Sequence, residues 1–204
     1  MSTPDRLIEA TQELLWERGY VGTSPKAIQQ RAGAGQGSMY HHFAGKPELA
    51  LAAVLRTSAE MRETAGRLLD GPGPAYERIS AYLLREREVL RGCPVGRLTM
   101  DPDVVASEAL SAPVDETIGW LRGRIAEILQ EGLDTGEFSP GLAPREVAAA
   151  VVATVQGGYV LARASGSSAA FDSAVRGLLS LLGAHVAHVA HVAHVAHVAP
   201  NRPA

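Results

Sequence analysis

Apolar positions recur along this chain at three- and four-residue spacings, and no stretch alternates in the two-residue period of a strand, so the pattern predicts an all-α protein. A first helix starts at Thr3-Pro4, places Leu7, Ile8, Leu14 and Leu15 on one face, and stops at Gly19. Ser24-Pro25 opens a second: a hydroxyl suited to accept an orphan N–H precedes a proline whose fixed φ fits the first helical position. Ala27, Ile28 and Ala32 face a core until Gly33 supplies a tight turn, and a third helix begins at Gly35. Beyond it the spacing predicts a long helix over 47–69, then helices over 75–91, 104–110, 113–134, 144–163 and 169–184. Gly71–Pro74 and Gly92–Gly96 are breaks, and Pro113 is read as a helix boundary.

Two short helices joined by a glycine turn form the layout of a helix-turn-helix DNA reader, whose second helix presents its first turn to the major groove. That turn holds Gln36, Gly37 and Ser38. A glutamine can pair bidentately with adenine, a serine hydroxyl donates or accepts, and Gly37 allows close backbone approach. Tyr40, His42 and Lys46 carry polar tips suited to phosphate, which fixes register and supplies salt-dependent affinity.

The residues Thr23-Ser24, Ile28, Ala32-Gly33, Gly37-Ser38, Tyr40-His41-His42-Phe43, Lys46 and Glu48-Leu49 together resemble the signature of the TetR family of bacterial transcriptional regulators, in register over roughly positions 5 to 55. The resemblance implies a DNA-binding domain of three helices over 1–46 and a helical effector-binding and dimerisation domain over 47–184, followed by a tail over 185–204. It implies Gln36 and Ser38 as base readers, Tyr40, His42 and Lys46 as phosphate contacts, and His41 at a base or the backbone, with Ser24, Lys26 and Gly37 completing the DNA-facing set. Two positions depart from the family pattern. Gly35 replaces the usual serine cap, at a cost of a few tenths of a kcal/mol, and Gln29 stands where a small residue is usual.

The same resemblance implies a ligand-responsive regulator, a repressor, that binds a near-palindromic double-stranded DNA operator as a homodimer, with half-sites about one helical turn apart. The last two helices are the candidate dimer contact, through the small residues Ala149, Ala153 and Gly157 and the stripe Val175, Leu178, Leu179 and Leu182, although the same residues also suit an internal core. Met61, Tyr82, Cys93, Met100, Trp120, Gln156 and Tyr159 interrupt the aliphatic packing of the middle helices and are the candidate walls of an effector pocket. Few charges fall on the predicted inner faces, so an apolar or aromatic small molecule is the expected effector.

Composition narrows the alternatives. The 204 residues are 46% hydrophobic and hold one cysteine, enough for a sizeable core and too few for an internal disulfide. The apolar stretches read as interrupted short of a membrane-spanning length, and Met1–Asp5 lacks the basic start and apolar core of a signal peptide, so a cytoplasmic, nucleoid-associated location without a membrane partner is expected. The net charge of −3 requires any DNA-facing basic patch to be local, and Lys26, Arg31, His41, His42 and Lys46 form an acid-free run from 26 to 46.

No Gly-x-Ser-x-Gly, Walker-type or His-Glu-x-x-His pattern occurs, so catalysis is not expected, nor is a cofactor or a defined metal site. Cys93, between Gly92 and Pro94, is read first as a small buried hydrophobe and second as a redox sensor. From His185 to Ala199 the triplet His-Val-Ala repeats five times. Its three-residue period drifts by about 60° per repeat around a helix, so the histidines form no single stripe. The tail extends the last helix or is disordered, with metal- or redox-responsive regulation through it or through Cys93 as the alternative function.

Overall fold

The computed structural model describes residues 1–187, and among them every regular element is helical. Helix α1 (Thr3–Arg18) is capped by Ser2, one residue earlier than its sequence implies, because Ser2 and Asp5 form a reciprocal capping box. Helix α2 (Pro25–Ala32) begins as expected, the Ser24 hydroxyl accepting the Ala27 N–H at 3.2 Å. It ends at Gly33, whose φ of +60° is the left-handed conformation that closes such a turn. Helix α3 (Gln36–His42) follows directly, with Gly35 at its N-cap and no side-chain cap bond.

Helix α4 (Lys46–Leu69) joins two cores. Its Leu49 completes a small N-terminal cluster with Leu7, Ala10, Leu14, Ile28, Ala32 and Met39. One residue on, Ala50, Ala53 and Val54 belong to the larger cluster built by α5 (Ala75–Leu84), α7 (Glu108–Asp134), α8 (Pro144–Ser165) and α9 (Ala169–Gly183). Helix α4 packs on α1 and α7, while α8 packs against both α7 and α9. The α8–α9 approach is close because Gly158 lacks a side chain: a Cβ there would lie 2.8 Å from the Phe171 ring.

Several expectations from the sequence are corrected. Helix α5 ends at Leu84 rather than near Arg91, and residues 85–95 run irregularly before the 3-10 turn Gly96–Met100. Arg87 folds back and donates to the Tyr82 and Leu83 carbonyls at 2.6 and 3.1 Å, satisfying acceptors that further helix would have used. Pro113 does not bound a helix; α6 (Pro102–Val105) is a single short turn, and Pro113 lies inside α7, in its second turn, at the loss of one intrahelical hydrogen bond.

In α9 the stripe Val175, Leu179 and Leu182 is buried in the chain's own core, with Leu178 packed beside it, so it offers no free dimer face. The start of the tail does not lengthen α9. His185 accepts the Ser139 N–H, Ala187 donates to the Glu137 carbonyl, and Val186 makes an isolated antiparallel bridge with Phe138. The remaining His-Val-Ala repeats lie outside the described residues.

Among the described residues one helix, the 22-residue α8, meets the length and composition of a membrane span, contrary to the sequence reading, with a mean hydropathy of 1.4 over its most apolar stretch. Its packing accounts for that character. Val151, Val155, Tyr159 and Ala162 face the core, while Ala149, Ala153, Gly157, Val160 and Leu161 form an exposed face of small and apolar residues.

Candidate nucleic-acid interface and ligand cleft

At the N-terminal end, the α3 backbone is held by one buried side chain, Met39, whose sulfur also accepts a hydrogen bond from the half-buried Gln29 at 3.4 Å. Gln29, anomalous in sequence, thereby ties α2 to α3. With Met39 turned inward, Gln36, Gly37, Tyr40, His41 and His42 are exposed and Ser38 half-exposed on the opposite side. A Cβ added at Gly35 or Gly37 would meet nothing within 4 Å, so the leading turn of α3 is open to a docking surface. Tyr40 is 49% exposed despite its aromatic ring. The His41 and His42 rings meet edge to face, 4.9 Å between centroids.

Charges around this face are distributed less simply than the sequence implies. Arg31 is committed to the first helix, with ion pairs of 2.7 Å to Glu13 and 2.9 Å to Glu17; the latter's carboxylate is held below its ordinary pKa by that contact. Arg31 therefore does not belong to a free basic patch. Ser24 is used as a helix cap, although exposed, and Lys26 is exposed on α2. Lys46 lies half-buried with its ammonium 3.8 Å from the Tyr20 ring centroid, and burial pulls its pKa below the usual lysine value against the opposing influence of Asp103 and Asp101.

Two polar clamps join this head to the segment after α5. The buried Asp101 carboxylate caps α6 and also accepts the Val21 N–H at 2.9 Å, and Trp16 Nε1 donates to the Gly92 carbonyl at 2.9 Å. Above the Trp16 ring the Arg91 guanidinium stacks at 3.7 Å. The sequence gives no signal for Trp16 or Asp101, because their hydrogen-bond partners are 76 and 80 residues away.

Behind those clamps, an open cleft of about 1260 Å³ lies between α1, α4, the 83–94 segment and α9. A small enclosed pocket of about 20 Å³ adjoins it, with Met61, Arg85 and Cys93 on the walls of both. The candidate effector residues divide between these spaces. Met61, Tyr82, Cys93, Trp120 and Gln156 converge on the small pocket, and Tyr159 lines the open cleft, its hydroxyl pKa raised by burial. Met100 is corrected: it is 85% exposed and borders only a shallow surface depression of about 360 Å³. Cys93 is 7% exposed, and its sulfur accepts the Gly96 N–H at 3.2 Å, a structural engagement of the thiol. Among the described residues no three His, Cys, Asp or Glu side chains are grouped to hold a metal.

The expectation of few inner charges also fails. Arg62, Arg85 and Arg87 line these spaces, and each has a buried side-chain nitrogen without a hydrogen-bond partner. Periodicity alone assigns such residues to a solvated face.

Comparison with known proteins agrees with this geometry. Residues 7–53 match the family model described as bacterial regulatory proteins, tetR family, and residues 75–178 match tetracyclin repressor-like, C-terminal domain. The HTH-type transcriptional repressor DhaR of Mycobacterium sp. (strain GP1) is 29% identical, over 76% of this chain and 80% of its own. A TetR transcriptional regulator from Chloroflexus aurantiacus J-10-FL superposes with a TM-score of 0.81 at 26% identity, covering 90% of this chain and 96% of the other. The regulator CifR, a cysteine mutant complexed with 26bp double-strand operator DNA, shares the fold with a TM-score of 0.74 at 22% identity, over 87% and 95% of the two chains. With the two matches falling on the helix-turn-helix and on the helical body respectively, this chain belongs to the TetR family and is a DNA-binding transcriptional regulator of that family.

Proposed function

We propose that the protein is a cytoplasmic, ligand-responsive repressor that binds a near-palindromic operator as a homodimer and is released by a small molecule entering the cleft between α1, α4, the 83–94 segment and α9. The observation that carries the reading is the pairing of an exposed, polar leading turn of α3 with a separate cleft whose wall is hydrogen-bonded to the head. In this reading Gln36 and Ser38 read bases, and Tyr40, His42 and Lys26 contact phosphate with His41 beside them. Lys46 reaches phosphate by leaving the Tyr20 ring. The head occupies 1–46 and extends its core to Leu49, and the body follows.

The exposed α8 face of Ala149, Ala153, Gly157 and Val160 supports self-association, since small residues let two helices approach and the apolar area there is otherwise unpaired. A ligand shifts the DNA-bound population only through unequal affinity for the two arrangements of the head. The strap of residues 85–101 touches both cleft and head, and the ligand moves α4 and with it the spacing of the two α3 helices.

The deciding experiment is anisotropy-detected binding to DNA flanking the protein's own gene, with excess unrelated competitor and a salt series. Competitor-resistant binding to one near-palindromic segment, two chains per site, is the expected result. Weak binding with no sequence preference overturns the reading.

A further inference from the structure

Arg85 and Arg87 stand two residues apart on the irregular segment that follows α5, and both line the open cleft. Their guanidinium groups are stacked on aromatic rings: Arg85 lies 4.5 Å from the Tyr82 centroid, and Arg87 lies 5.1 Å from Phe171 and 5.7 Å from Tyr82. Neither forms an ion pair among the described residues, whereas Arg31, Arg56, Arg78 and Arg124 each pair with a carboxylate at 2.9 Å or less. The Nη1 atoms of Arg85 and Arg87 are buried without an acceptor. Burial and the adjacent Arg85 charge depress the Arg87 pKa, the signature of two like charges sharing a poorly solvated space.

A third arginine extends the arrangement. Arg62 lines the small pocket together with Arg85, its Nε is buried and unpartnered, and its one carboxylate neighbour, Glu116, is 4.0 Å away and 71% exposed. Of the acids that line the cleft, Glu9, Glu60, Glu86, Glu88 and Asp172 are exposed and the half-exposed Glu13 is paired with Arg31; among the described residues none forms an ion pair with Arg85 or Arg87. Although Arg87 Nη2 is satisfied by the Tyr82 and Leu83 carbonyls, a buried guanidinium nitrogen without an acceptor is costly, and native structures rarely retain one without a reason. An anion accepting from both arginines removes that cost through charge-assisted, bidentate hydrogen bonds.

The neighbouring surface defines the rest of the ligand. Met61, Tyr82 and Trp120 converge beyond Arg85 on a pocket whose about 20 Å³ holds roughly one water, so it takes a ligand only by opening. We propose that the cleft binds a small organic anion, with its acidic head on Arg85 and Arg87 and its apolar or aromatic body directed toward Met61, Tyr82 and Trp120. This names the chemical class of the effector and rests on the effector-responsive reading given above. The apolar effector expected from sequence is thereby replaced by an amphiphilic, negatively charged one.

Two dyes of nearly the same body test it: 8-anilinonaphthalene-1-sulfonate, an anion, and N-phenyl-1-naphthylamine, its uncharged counterpart. The full-length protein should bind the anion saturably, one per chain, about tenfold or more tightly than the neutral dye, the scale of one charge-assisted hydrogen bond. Arg85→Gln, which removes a side chain with no hydrogen bond of its own to the fold, should lower affinity for the anion about tenfold and leave the neutral dye unchanged. Arg87→Lys retains the charge and should keep a preference for the anion.

Equal affinity of wild type for the two dyes, or an unchanged preference in Arg85→Gln, overturns the proposal; the wild-type comparison decides it even where a variant fails to fold. Operator binding by the same preparation without dye separates this from the regulator reading. Intact operator binding with no anion preference removes only the ligand class, whereas an anion preference without sequence-specific DNA binding removes only the regulator.

Discussion

The N-terminal head and the cleft behind it treat charge in opposite ways. In the head, Arg31 is neutralised by Glu13 and Glu17 on α1, Asp5 by Arg56, and the polar residues of α3 are left pointing at solvent above a small apolar core. In the cleft, arginines are drawn inward and their buried nitrogens are left without acceptors. A surface that meets a phosphate backbone gains from exposed polar tips on a rigid frame, because the partner supplies the charge density. An enclosed site for a small ligand gains from unsatisfied groups inside, because those groups become favourable only when the ligand arrives.

Ile28→Ala breaks the head side of that contrast most severely. Ile28 is fully buried among Leu7, Leu14 and Met39, and truncation should cost about 2–5 kcal/mol. Operator binding should disappear while dye binding in the cleft persists, as measured by anisotropy and fluorescence on one preparation. Joint loss of both would mean that head and body fold as one inseparable unit.

Asp101→Ala tests the link between the two regions. It removes the cap of α6 and the acceptor for the Val21 N–H together, and should destabilise by about 1–3 kcal/mol in chemical denaturation. It should also weaken the effect of a cleft ligand on operator affinity. Full coupling in this variant would leave α4 as the sole mechanical route.

Gln36→Ala sharpens the head alone. It should relax base preference at one position of each half-site by about 1–3 kcal/mol in a binding-site selection, without altering dye affinity. Unchanged preference would remove Gln36 from the base-reading set.

The smallest effect is acid sensitivity. Hydrogen bonds from Ser2 and Arg56 hold the Asp5 carboxyl at about 2, below its ordinary 3.8. Because the folded value is the lower one, the contribution is present above about 4 and is lost as pH falls toward 2. Protection of the amides at the start of α1, taken as exchange relative to the unstructured chain at each pH, should therefore fall over that window in wild type and show a weaker pH dependence in Asp5→Asn.

Local features were the legible part of this chain. Ser24-Pro25, Gly33 and the inward residues of α1 and α2 announce themselves because caps, turns and periodic stripes are written in neighbouring positions. The polar residues of α3 are exposed, or half-exposed at Ser38, as a polar face beside the inward Met39 requires. Residues 85–91 carry helix-forming Arg and Glu and so resemble helix in sequence, whereas in the fold α5 stops at Leu84 and Arg87 returns to the Tyr82 and Leu83 carbonyls. The unpartnered buried nitrogens of Arg62 and Arg85 have no local signature, since whether a cation is satisfied depends on residues far along the chain. The same holds for the capture of Arg31 by Glu13 and Glu17, which altered the expected basic face.

The hydrogen bond from Trp16 to Gly92 also makes the protein its own spectrometer. The chain has two tryptophans: Trp16 sits under Arg91 where the head meets the strap, and Trp120 lines the small pocket. A Trp120→Phe variant emits only from the joint, where release of the indole N–H to water would shift its emission to the red. The difference from wild type isolates the pocket. Head movement and ligand entry can thus be timed separately in a stopped-flow trace, without attaching a label to either.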